Sequence, residues 1–477
     1  MRKKIAIVGS GPSSWATFQI LQRLHGDCCE ITILDANKRE SYATVVPTIA
    51  SKTKMGSTHM YEPGDGIVEF ETPNNFSLAN GGLSTVWGAG IRMWDQEYLL
   101  QYGSLSEIYN SAIGLLDHLP YSGDNSTLNI PNEWKVSSTP RPPRSSDFSD
   151  LVEYSLHGIS SFPTALAVDV KNNNKCVGCG ECLSGCTYGS IFDAGNFFDK
   201  YLAQKLIKRQ DFFVEKIVLT TGNVELHGLS GGKTKKVECF DEIHLCAGAI
   251  GTPAILLRSN LIPERKLKIL DSQVFYFMGL KKFEKNHSSN FALSQTTISS
   301  NSSKNIEFKA SLYRSNKDIR SRASQVIKKV TKFQILLPKF IDNFLFVGIG
   351  FLNSNQSGFL EIVEENEEII LNTRKAKKEN ARRAVRLIRK FLLSKKMFVF
   401  PVLLEMPSPG LGFHSGGALS LNSELVDDYG RLRFDTRVRI SDVSILKSIP
   451  AGPHTFSSMA IVSATIKGEY ENSSHGI

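Results

Sequence analysis

The sequence predicts an α/β protein: a discontinuous, Rossmann-like dinucleotide-binding domain joined to an α+β domain built on an antiparallel sheet. A strand–turn–helix–strand pattern at residues 4–36 predicts the first domain. Alternating polar and apolar residues between 264 and 400 predict the antiparallel sheet. We place the first domain at 1–263 and 401–477, with a surface excursion at 101–165 and a cysteine loop at 172–192, and the second domain at 264–400.

A dinucleotide-binding turn is predicted at the start of the chain. The apolar run Ile5–Val8 has the length of a buried parallel strand, and Gly9-Ser-Gly11 follows it directly. Glycines there let the backbone approach a pyrophosphate, which the N–H groups of the next helix stabilise. Asp35 ends the second strand, where a carboxylate can accept a hydrogen bond from a ribose hydroxyl. Ser14 replaces the third glycine of the pattern, and an ordinary tight turn is the alternative.

The composition is that of an ordinary globular protein, with 41% hydrophobic and 22% charged residues among 477. The net charge of +9 comes mainly from residues 311–332 and 374–396. It suits an anionic substrate, an acidic electron partner, a membrane surface or nucleic acid, and a solvated helix face is the simplest explanation. The first strand follows the N-terminus without a signal segment, and the apolar stretch 333–352 carries Lys339 and Asp342. We therefore expect a cytoplasmic protein without a membrane span.

The densest chemical signal is a run of four cysteines, Cys176, Cys179, Cys182 and Cys186. Their C-x2-C-x2-C-x3-C spacing is that of bacterial ferredoxin loops, and clustered thiols in a reducing compartment more often hold metal than form disulfides. We therefore predict an iron–sulfur cluster, either 4Fe–4S or 3Fe–4S. The ligand role of Cys186 stays open because Thr187 stands where proline is usual, and zinc, a disulfide or free thiols are the alternatives.

Two further segments rich in small residues suit backbone packed against a flat ligand. The segment 80–90 has glycines at four positions, which disfavour a helix or strand interior, and a surface loop is the alternative. A strand predicted at 237–246 leads into a second small-residue turn. Pro253 is predicted near the first turn of a helix that restarts at 254–258.

The last third of the chain contains a basic helix and two candidate histidines. The predicted helix at 375–394 has an apolar stripe typical of core contact, and its basic face is a candidate for peripheral membrane contact. His414 and His454 each lie close to glycines, and Asp442 ends the strand predicted between them. A single histidine is more often structural than catalytic, but two in this setting indicate a catalytic pair.

These segments together resemble the glucose–methanol–choline (GMC) family of flavin oxidoreductases. The resemblance rests on the Gly9–Ser14 turn with Asp35, Gly81-Gly-Leu-Ser-Thr-Val-Trp-Gly88, Val214-Glu-Lys-Ile217, His244-Leu-Cys-Ala-Gly-Ala-Ile-Gly-Thr-Pro253, and His414, Asp442 and His454. The matching motifs are spread along the whole chain. The second domain, which lies between them, resembles the family only in its general residue pattern. Many bacterial members of the family carry a similar cysteine run, and in some flavin dehydrogenases a related loop holds an iron–sulfur cluster near the flavin.

The resemblance implies that the dinucleotide is FAD. Val86 stands where some members have a histidine that tethers the flavin, so noncovalent FAD is expected. Asp35 would bind the adenosine ribose, Val214 the adenine and Asp442 the ribityl–phosphate region. The implied FAD-binding set is Gly9, Gly11, Ser14, Asp35, Gly81, Gly82, Thr85, Trp87, Gly88, Val214, Gly248 and Asp442.

The family match also implies that His414 is the base and His454 its orienting partner. A neutral imidazole, whose pKa is about 6.5 in water, can take a hydroxyl proton near pH 7 while flavin N5 takes the hydride. This predicts a dehydrogenase for the CH–OH group of a sugar or other polyol. Electrons would pass through the cluster to a protein or quinone acceptor, and no nucleic-acid partner is expected. A redox-neutral isomerase or mutase on a sugar, and an FAD/iron–sulfur electron-transfer module without an organic substrate, are the alternatives.

Overall fold

A computed structural model of the chain describes residues 2–36, 69–70, 77–85, 87–142, 148, 151, 153–172, 175–180, 182, 186–230, 234–282, 291–294, 296–300, 306–315, 344–366, 368–400 and 405–474. Its strands are β1 Lys3–Val8, β2 Cys29–Asp35, β3 Glu69–Phe70, β4 Ser155–Leu156, β5 Ile159–Pro163, β6 Lys208–Leu219, β7 Val224–Ser230, β8 Thr234–Phe240, β9 Glu242–Leu245, β10 Lys266–Asp271, β11 Val274–Leu280, β12 Thr296–Ser300, β13 Phe308–Arg314, β14 Leu345–Leu352, β15 Phe359–Glu365, β16 Glu368–Arg374, β17 Phe398–Val399, β18 Ser415–Gly416, β19 Arg431–Leu432 and β20 Asp435–Ile440. Its α-helices are α1 Pro12–His25, α2 Gln96–Leu99, α3 Leu105–Leu116, α4 Asn125–Leu128, α5 Ala194–Ala203, α6 Gly248–Arg258, α7 Lys378–Leu393 and α8 Thr455–Ser474.

An eight-stranded sheet contains the predicted dinucleotide turn. Its strand order is β19-β20-β9-β1-β2-β6-β7-β8, so both ends of the chain and its middle contribute to one sheet. β1 pairs in parallel with β2 and with β9, and α1 connects β1 to β2. The pattern predicted at residues 4–36 is confirmed. Ile5, Ile7 and Ile33 are fully buried, as expected for continuous apolar strands in a parallel sheet covered on both faces.

Two predicted elements of this region are wrong in detail. The strand predicted at 237–246 is two strands, because β8 pairs with β7 in antiparallel orientation while β9 turns to pair in parallel with β1. Asp241 lies at the break, and its carboxylate accepts a hydrogen bond of 2.7 Å from Lys4 N. Pro253 lies inside α6 rather than near its first turn, because α6 already begins at Gly248. Glycine disfavours that start locally, but a hydrogen bond from Gly248 N to Asp442 stabilises it.

The described residues form two other sheets. A five-stranded sheet has the order β18-β10-β15-β16-β3, and its β15–β16 pair is the hairpin that alternation predicts near residues 358–372. A seven-stranded sheet, β17-β11-β14-β13-β12-β5-β4, is antiparallel throughout, which confirms the antiparallel pattern of 264–400. Its strands β4 and β5 come from 155–163, so this sheet takes strands from outside the predicted segment.

The excursion predicted at 101–165 does not run only over the surface. Its helix α3 buries Ile108, Ala112 and Leu115 and packs against α8. These residues recur at helical spacing, so the apolar stripe of α3 contributes to the large core around the eight-stranded sheet.

The predicted basic helix is confirmed as α7. Ala384, Ile388 and Leu392 are buried against the seven-stranded sheet, while Arg382 and Arg386 on the opposite face are exposed. Among the described helices, none combines the length and the apolar character needed to cross a bilayer.

Candidate active site

One cleft connects the predicted dinucleotide turn with the predicted histidine pair. Gly9 and Gly11 lead from β1 into α1 in its wall, and Asp35 lies at the end of β2 in the same wall. His414 and His454 line the cleft as well. The carboxyl ends of parallel strands are where nucleotides bind in sheets of this kind.

Two glycines at helix N-termini leave open space in the cleft. A Cβ atom built at Gly11 or at Gly248 would meet no other atom within 4 Å, and both residues line the cleft. Gly11 precedes α1, whose first-turn N–H groups and dipole favour an anion. A Cβ atom at Gly82 would lie only 3.3 Å from Gly11 Cα, so bare backbone faces bare backbone there. The backbone at these turns fits the close approach of a pyrophosphate.

Asp35 and Val214 lie on neighbouring strands at one part of the wall. Arg209 Nη2 donates to Asp35 Oδ2 over 3.2 Å, an ion pair that orients the carboxylate. β2 and β6 run in parallel with Asp35 opposite Asp211, so Val214 follows just beyond the end of β2. A bulge between Val214 and Lys216 interrupts the ladder to β7, as bulges do near binding sites.

The glycine-rich block 80–90 is held against the first turn. Gly81 N donates to Ser10 Oγ over 2.9 Å, and Ser84 Oγ donates to Gly81 O over 2.6 Å. Gly81 has a φ of +93°, and a Cβ atom there would lie 2.3 Å from Asp193 Oδ1. Glycine is therefore required at this position both by conformation and by space.

The structure brings most of the implied FAD-binding residues to the cleft and leaves three behind its wall. Ser14 is fully buried, Thr85 donates through Oγ1 to Gly82 O over 2.9 Å, and Gly81 fixes the loop as described. Val86 lies outside the described residues. The predicted residues that line the cleft are Gly9, Gly11, Asp35, Gly82, Trp87, Gly88, Val214, Gly248 and Asp442.

Asp442 caps helix α6 from a buried position. Its Oδ2 accepts from Gly248 N over 2.8 Å and from Thr252 Oγ1 over 2.6 Å, and its Oδ1 accepts from Ser444 N over 2.8 Å. Burial raises the pKa of this carboxyl in spite of those hydrogen bonds. The carboxylate thus holds the turn that presents Gly248 to the cleft.

His414 and His454 meet in the cleft wall. Their ring centroids are 5.0 Å apart in an edge-to-face arrangement, and the ring of Phe351 lies 4.1 Å from that of His414. Nδ1 of each imidazole is buried and has no hydrogen-bond partner among the described residues. Burial lowers the pKa of His454 to about 4, and burial together with His454 lowers the pKa of His414 well below its usual value. Both rings are therefore neutral at pH 7, and each can accept a proton.

The two histidines are positioned by different parts of the fold. The residue after His414 is Ser415, which pairs with Asp271 across β10 and β18 and donates to its Oδ1 over 2.7 Å. His454 precedes α8, and a hydrogen bond of 2.9 Å from Ser458 N to His454 O anchors it to the first turn. The pair is thus assembled by tertiary contact between the five-stranded sheet and the C-terminal helix.

The four cysteines predicted to hold a cluster do not form a ligand set. All four are free, and Cys179 is exposed. Burial raises the pKa of the Cys182 thiol to about 11, and Cys186 Sγ accepts from Ser190 N over 3.2 Å. Within the described ranges, no three His, Cys, Asp or Glu side chains are grouped as metal ligands. The predicted iron–sulfur cluster is therefore not supported.

Sequence reasoning missed a group of residues that lines the same cleft as the histidines. Ser311 and Tyr313 of β13, and Ile349 and Phe351 of β14, line the cleft, and the ring of Phe351 contacts that of His414. The alternation within β13 and β14 was a usable signal, because it separates the residues of one sheet face from those of the other.

Comparison with known proteins supports the fold. No protein-family model and no curated protein matches the sequence. Among solved structures, pyridoxine 4-oxidase from Mesorbium loti is similar with a TM-score of 0.64 and 13% sequence identity, over 98% of this chain and 99% of that chain. The chain therefore has the fold of that protein over almost its whole length.

Proposed function

We propose that this chain is an FAD-dependent oxidoreductase that acts on the CH–OH group of a small alcohol. The observation that carries the proposal is the pair of neutral histidines, His414 and His454, whose Nδ1 atoms have no hydrogen-bond partner among the described residues and which share one cleft with the Gly9–Gly11 turn. The fold is that of a pyridoxine 4-oxidase, a GMC-family oxidoreductase, which agrees with the family resemblance of the sequence.

FAD would be held by the cleft residues of the eight-stranded sheet. Gly11 leaves open space that the pyrophosphate would occupy, Asp35 would bind the ribose of the adenosine, and Val214 would bind the adenine. Trp87 and the rest of its block would face the isoalloxazine. When bound, FAD supplies the hydride acceptor. In this assignment residues 1–263 and 401–477 form the FAD-binding part, and 264–400, together with β4 and β5, form the substrate-binding part.

His414 takes the hydroxyl proton and His454 orients the substrate oxygen. Each imidazole is neutral at pH 7 because burial disfavours its charged form, so it can accept a proton or a hydrogen bond. The ring of Phe351 against His414 restricts the orientation of the base. The centroid separation of 5.0 Å allows both rings to approach one substrate hydroxyl.

A sugar or other polyol is the substrate class suggested by the resemblance, and a protein or quinone acceptor is suggested by the cysteine run. The relay through an iron–sulfur cluster has no support in the arrangement of Cys176, Cys179, Cys182 and Cys186. Iron and sulfide analysis of anaerobically purified protein decides whether the protein holds an iron–sulfur cluster. Stoichiometric zinc, or no metal after reconstitution, would rule the cluster out.

Anaerobic spectroscopy of the purified holoprotein tests the function. We expect a flavin spectrum, release of FAD into the supernatant on acid precipitation, and bleaching of the flavin when a panel of alcohols is added. A protein with no flavin refutes the proposal. Bound FAD that dithionite reduces but no alcohol reduces would favour an electron-transfer module, and turnover of a sugar without net bleaching would favour an isomerase or mutase.

A further inference from the structure

The seven-stranded sheet presents one face to helix α7 and the other to the cleft. Phe275, Phe308 and Phe346 belong to the apolar cluster that packs on α7. Successive side chains of a strand point to opposite faces of the sheet. The residues next to these phenylalanines in the same strands therefore point to the face away from α7. Those that reach the cleft, which we name the sheet wall, are Thr164, just beyond β5, Ser311, Tyr313, Ile349 and Phe351.

The sheet wall has an apolar side next to the proposed base. Phe351 and Ile349 are two residues apart on β14, and the Phe351 ring lies 4.1 Å from that of His414. Their neighbours on β11, Val274 and Tyr276, pair with them directly and pack with them in one apolar cluster behind the cleft surface. A flat apolar group can pack here beside the histidine.

The other side of the sheet wall carries a row of hydroxyl groups. Thr164 Oγ1 and Thr297 Oγ1 are 2.8 Å apart, and Thr297 Oγ1 and Ser311 Oγ are 3.4 Å apart. Thr164 and Ser311 both line the cleft, while Thr297 connects them from behind. Hydroxyl groups donate and accept, so this row can bind a neutral polar substituent of either kind.

Tyr313 places a further hydroxyl in the cleft without a partner. Its oxygen would be 3.5 Å from a Cβ atom built at Gly88, so it lies beside the glycine-rich block. No hydrogen bond of this hydroxyl is found within the described part of the chain. Burial raises the pKa of Tyr313 to about 12, so it remains a neutral donor. A hydroxyl that lines the cleft without a partner among the described residues is available to make a hydrogen bond to a ligand.

Lys309, a cation on the same face in the described part of the sheet, does not line the cleft. Lys309 precedes Ser311 by two residues on β13, but its Nζ pairs with Asp95 Oδ2 at 3.5 Å. A Cβ atom at Gly452 would lie 3.1 Å from Lys309 Cδ, so the loop before His454 covers the lysine stem. The described residues of the sheet wall therefore offer aromatic surface and neutral hydroxyls, with no charge.

We propose that the substrate is an uncharged aromatic alcohol with a hydroxymethyl group and a second neutral polar ring substituent. The ring packs on Phe351 and Ile349 with its CH₂OH at the histidine pair, and the second substituent hydrogen-bonds to Ser311 or Tyr313. This inference rests on the proposed function and narrows its substrate class. A sugar or linear polyol would instead place hydroxyl groups against the Phe351 side, where they lose water without gaining a partner.

A panel of alcohols tests the substrate class in stopped-flow reduction of the holoprotein. The probes are 3-hydroxybenzyl alcohol, benzyl alcohol, cyclohexylmethanol, D-glucose, D-sorbitol and 4-(hydroxymethyl)benzoate. We expect 3-hydroxybenzyl alcohol to have the highest ratio of reduction rate to dissociation constant. The benzoate should be roughly a hundredfold worse or more, because the described residues of the sheet wall offer no cation to pair with its carboxylate.

Three hydroxyl deletions locate the second substituent. Ser311→Ala and Tyr313→Phe should each lower the preference for 3-hydroxybenzyl alcohol over benzyl alcohol, with a factor of roughly three to ten for the variant whose hydroxyl makes the contact. Ser300→Ala is the matched control, because Ser300 is a buried hydroxyl of β12 on the opposite face and has no partner among the described residues. The preference of Ser300→Ala for 3-hydroxybenzyl alcohol over benzyl alcohol should equal that of the wild type.

The outcomes separate this inference from the proposed function. Faster reduction by glucose, sorbitol or the benzoate than by 3-hydroxybenzyl alcohol overturns the substrate class and leaves the oxidoreductase intact. Unchanged preference in both Ser311→Ala and Tyr313→Phe overturns the assigned contact. If no alcohol reduces the bound FAD, the proposed function fails. In that case the dissociation constants of the same compounds, measured from flavin difference spectra, still test the proposed substrate class. Tightest binding of glucose, sorbitol or the benzoate overturns that substrate class.

Discussion

Two buried histidine sites in this protein differ in their partners rather than in their burial. His244 on β9 has no exposed surface, and its Nδ1 and Nε2 each lie 3.0 Å from an oxygen, of Ser441 and Glu242 respectively. His414 and His454 are enclosed in the cleft wall, and their Nδ1 atoms have no partner among the described residues. A buried polar group with its hydrogen bonds made is structural, whereas one without them is available to a ligand.

The pKa values alone do not distinguish the two sites. Burial lowers the pKa of His244 to about 4 despite its bond to Glu242, and burial lowers the pKa of His454 to about 4 as well. Burial also opposes ionisation of Glu242, yet the hydrogen bond from His244 and the charges of Arg431 and Lys3 hold the pKa of that carboxyl well below its usual range. A perturbed pKa therefore marks burial in both places, and the unpaired nitrogen identifies the candidate catalytic site.

The largest effect should come from removing the proposed base. His414→Ala should slow flavin reduction by a factor of roughly a hundred to ten thousand, because a general base typically contributes that much. FAD content and the far-UV spectrum should stay normal. Stopped-flow bleaching of the flavin by substrate measures the rate, and a rate close to that of the wild type removes His414 from the mechanism.

The paired histidine should show the reverse behaviour. His244→Ala should lower the free energy of unfolding by roughly 2–4 kcal/mol, since it leaves a cavity and removes two buried hydrogen bonds. The rate of flavin reduction per bound FAD should change less than twofold, because His244 does not line the cleft. Denaturant unfolding and stopped-flow reduction of the same preparation check both parts, and a rate loss comparable with that of His414→Ala would contradict the comparison.

Asp271 extends the comparison to a buried carboxyl. Its Oδ1 accepts from Ser415, its Oδ2 has no partner among the described residues, and burial raises its pKa to about 7. Because the folded-state pKa is the higher one, this group's contribution to stability is complete below about pH 4 and is lost as the pH rises to about 7.

Asp271→Asn should remove that pH dependence. Between pH 5 and pH 8 the stability of the variant relative to the wild type should increase by at most about 3 kcal/mol. Denaturant unfolding of both proteins at the two pH values measures it. If the difference in free energy of unfolding between the two proteins is the same at pH 5 and pH 8, Asp271 is ionised at both pH values and has a charge partner that its hydrogen bonds do not reveal.

The smallest effect is expected at the second cleft histidine. His454→Asn should slow flavin reduction by about tenfold or less, because an amide can still make an orienting hydrogen bond. His454→Leu, which cannot, serves as the matched comparison and should be slower. Equal rates in the two variants would show that hydrogen bonding by residue 454 does not contribute, and a loss as large as that of His414→Ala would exchange the assigned roles.

Local chemistry was enough to predict the elements that depend on short-range rules. The turn at Gly9–Gly11 could be located because a parallel strand, a glycine turn and a helix follow each other within a few residues. The hairpin β15–β16 and helix α7 followed from their periods of alternation and of helical spacing. The secondary-structure preference of each of these segments depends on its own side chains, and tertiary packing preserves the structure that this preference favours.

Cysteine spacing shows where local pattern was not enough. Cys176, Cys179 and Cys182 have ferredoxin spacing, yet Cys179 is exposed, burial raises the pKa of the Cys182 thiol, and no group of three metal ligands is found in the described part of the chain. Spacing limits how far apart thiols can lie along the chain, but the direction of each side chain depends on how the loop packs.

The sequence by itself determined the α/β class, the dinucleotide turn and the identity of the two candidate histidines, since these depend on residue type and short-range order. Only the tertiary structure decided that the rings of His414 and His454 lie 5.0 Å apart, that both ring nitrogens of His244 have hydrogen-bond partners, and that the sheet wall lines the cleft. Those facts require strands and helices distant in sequence to meet, and their meeting is set by burial of the shared core rather than by any one segment.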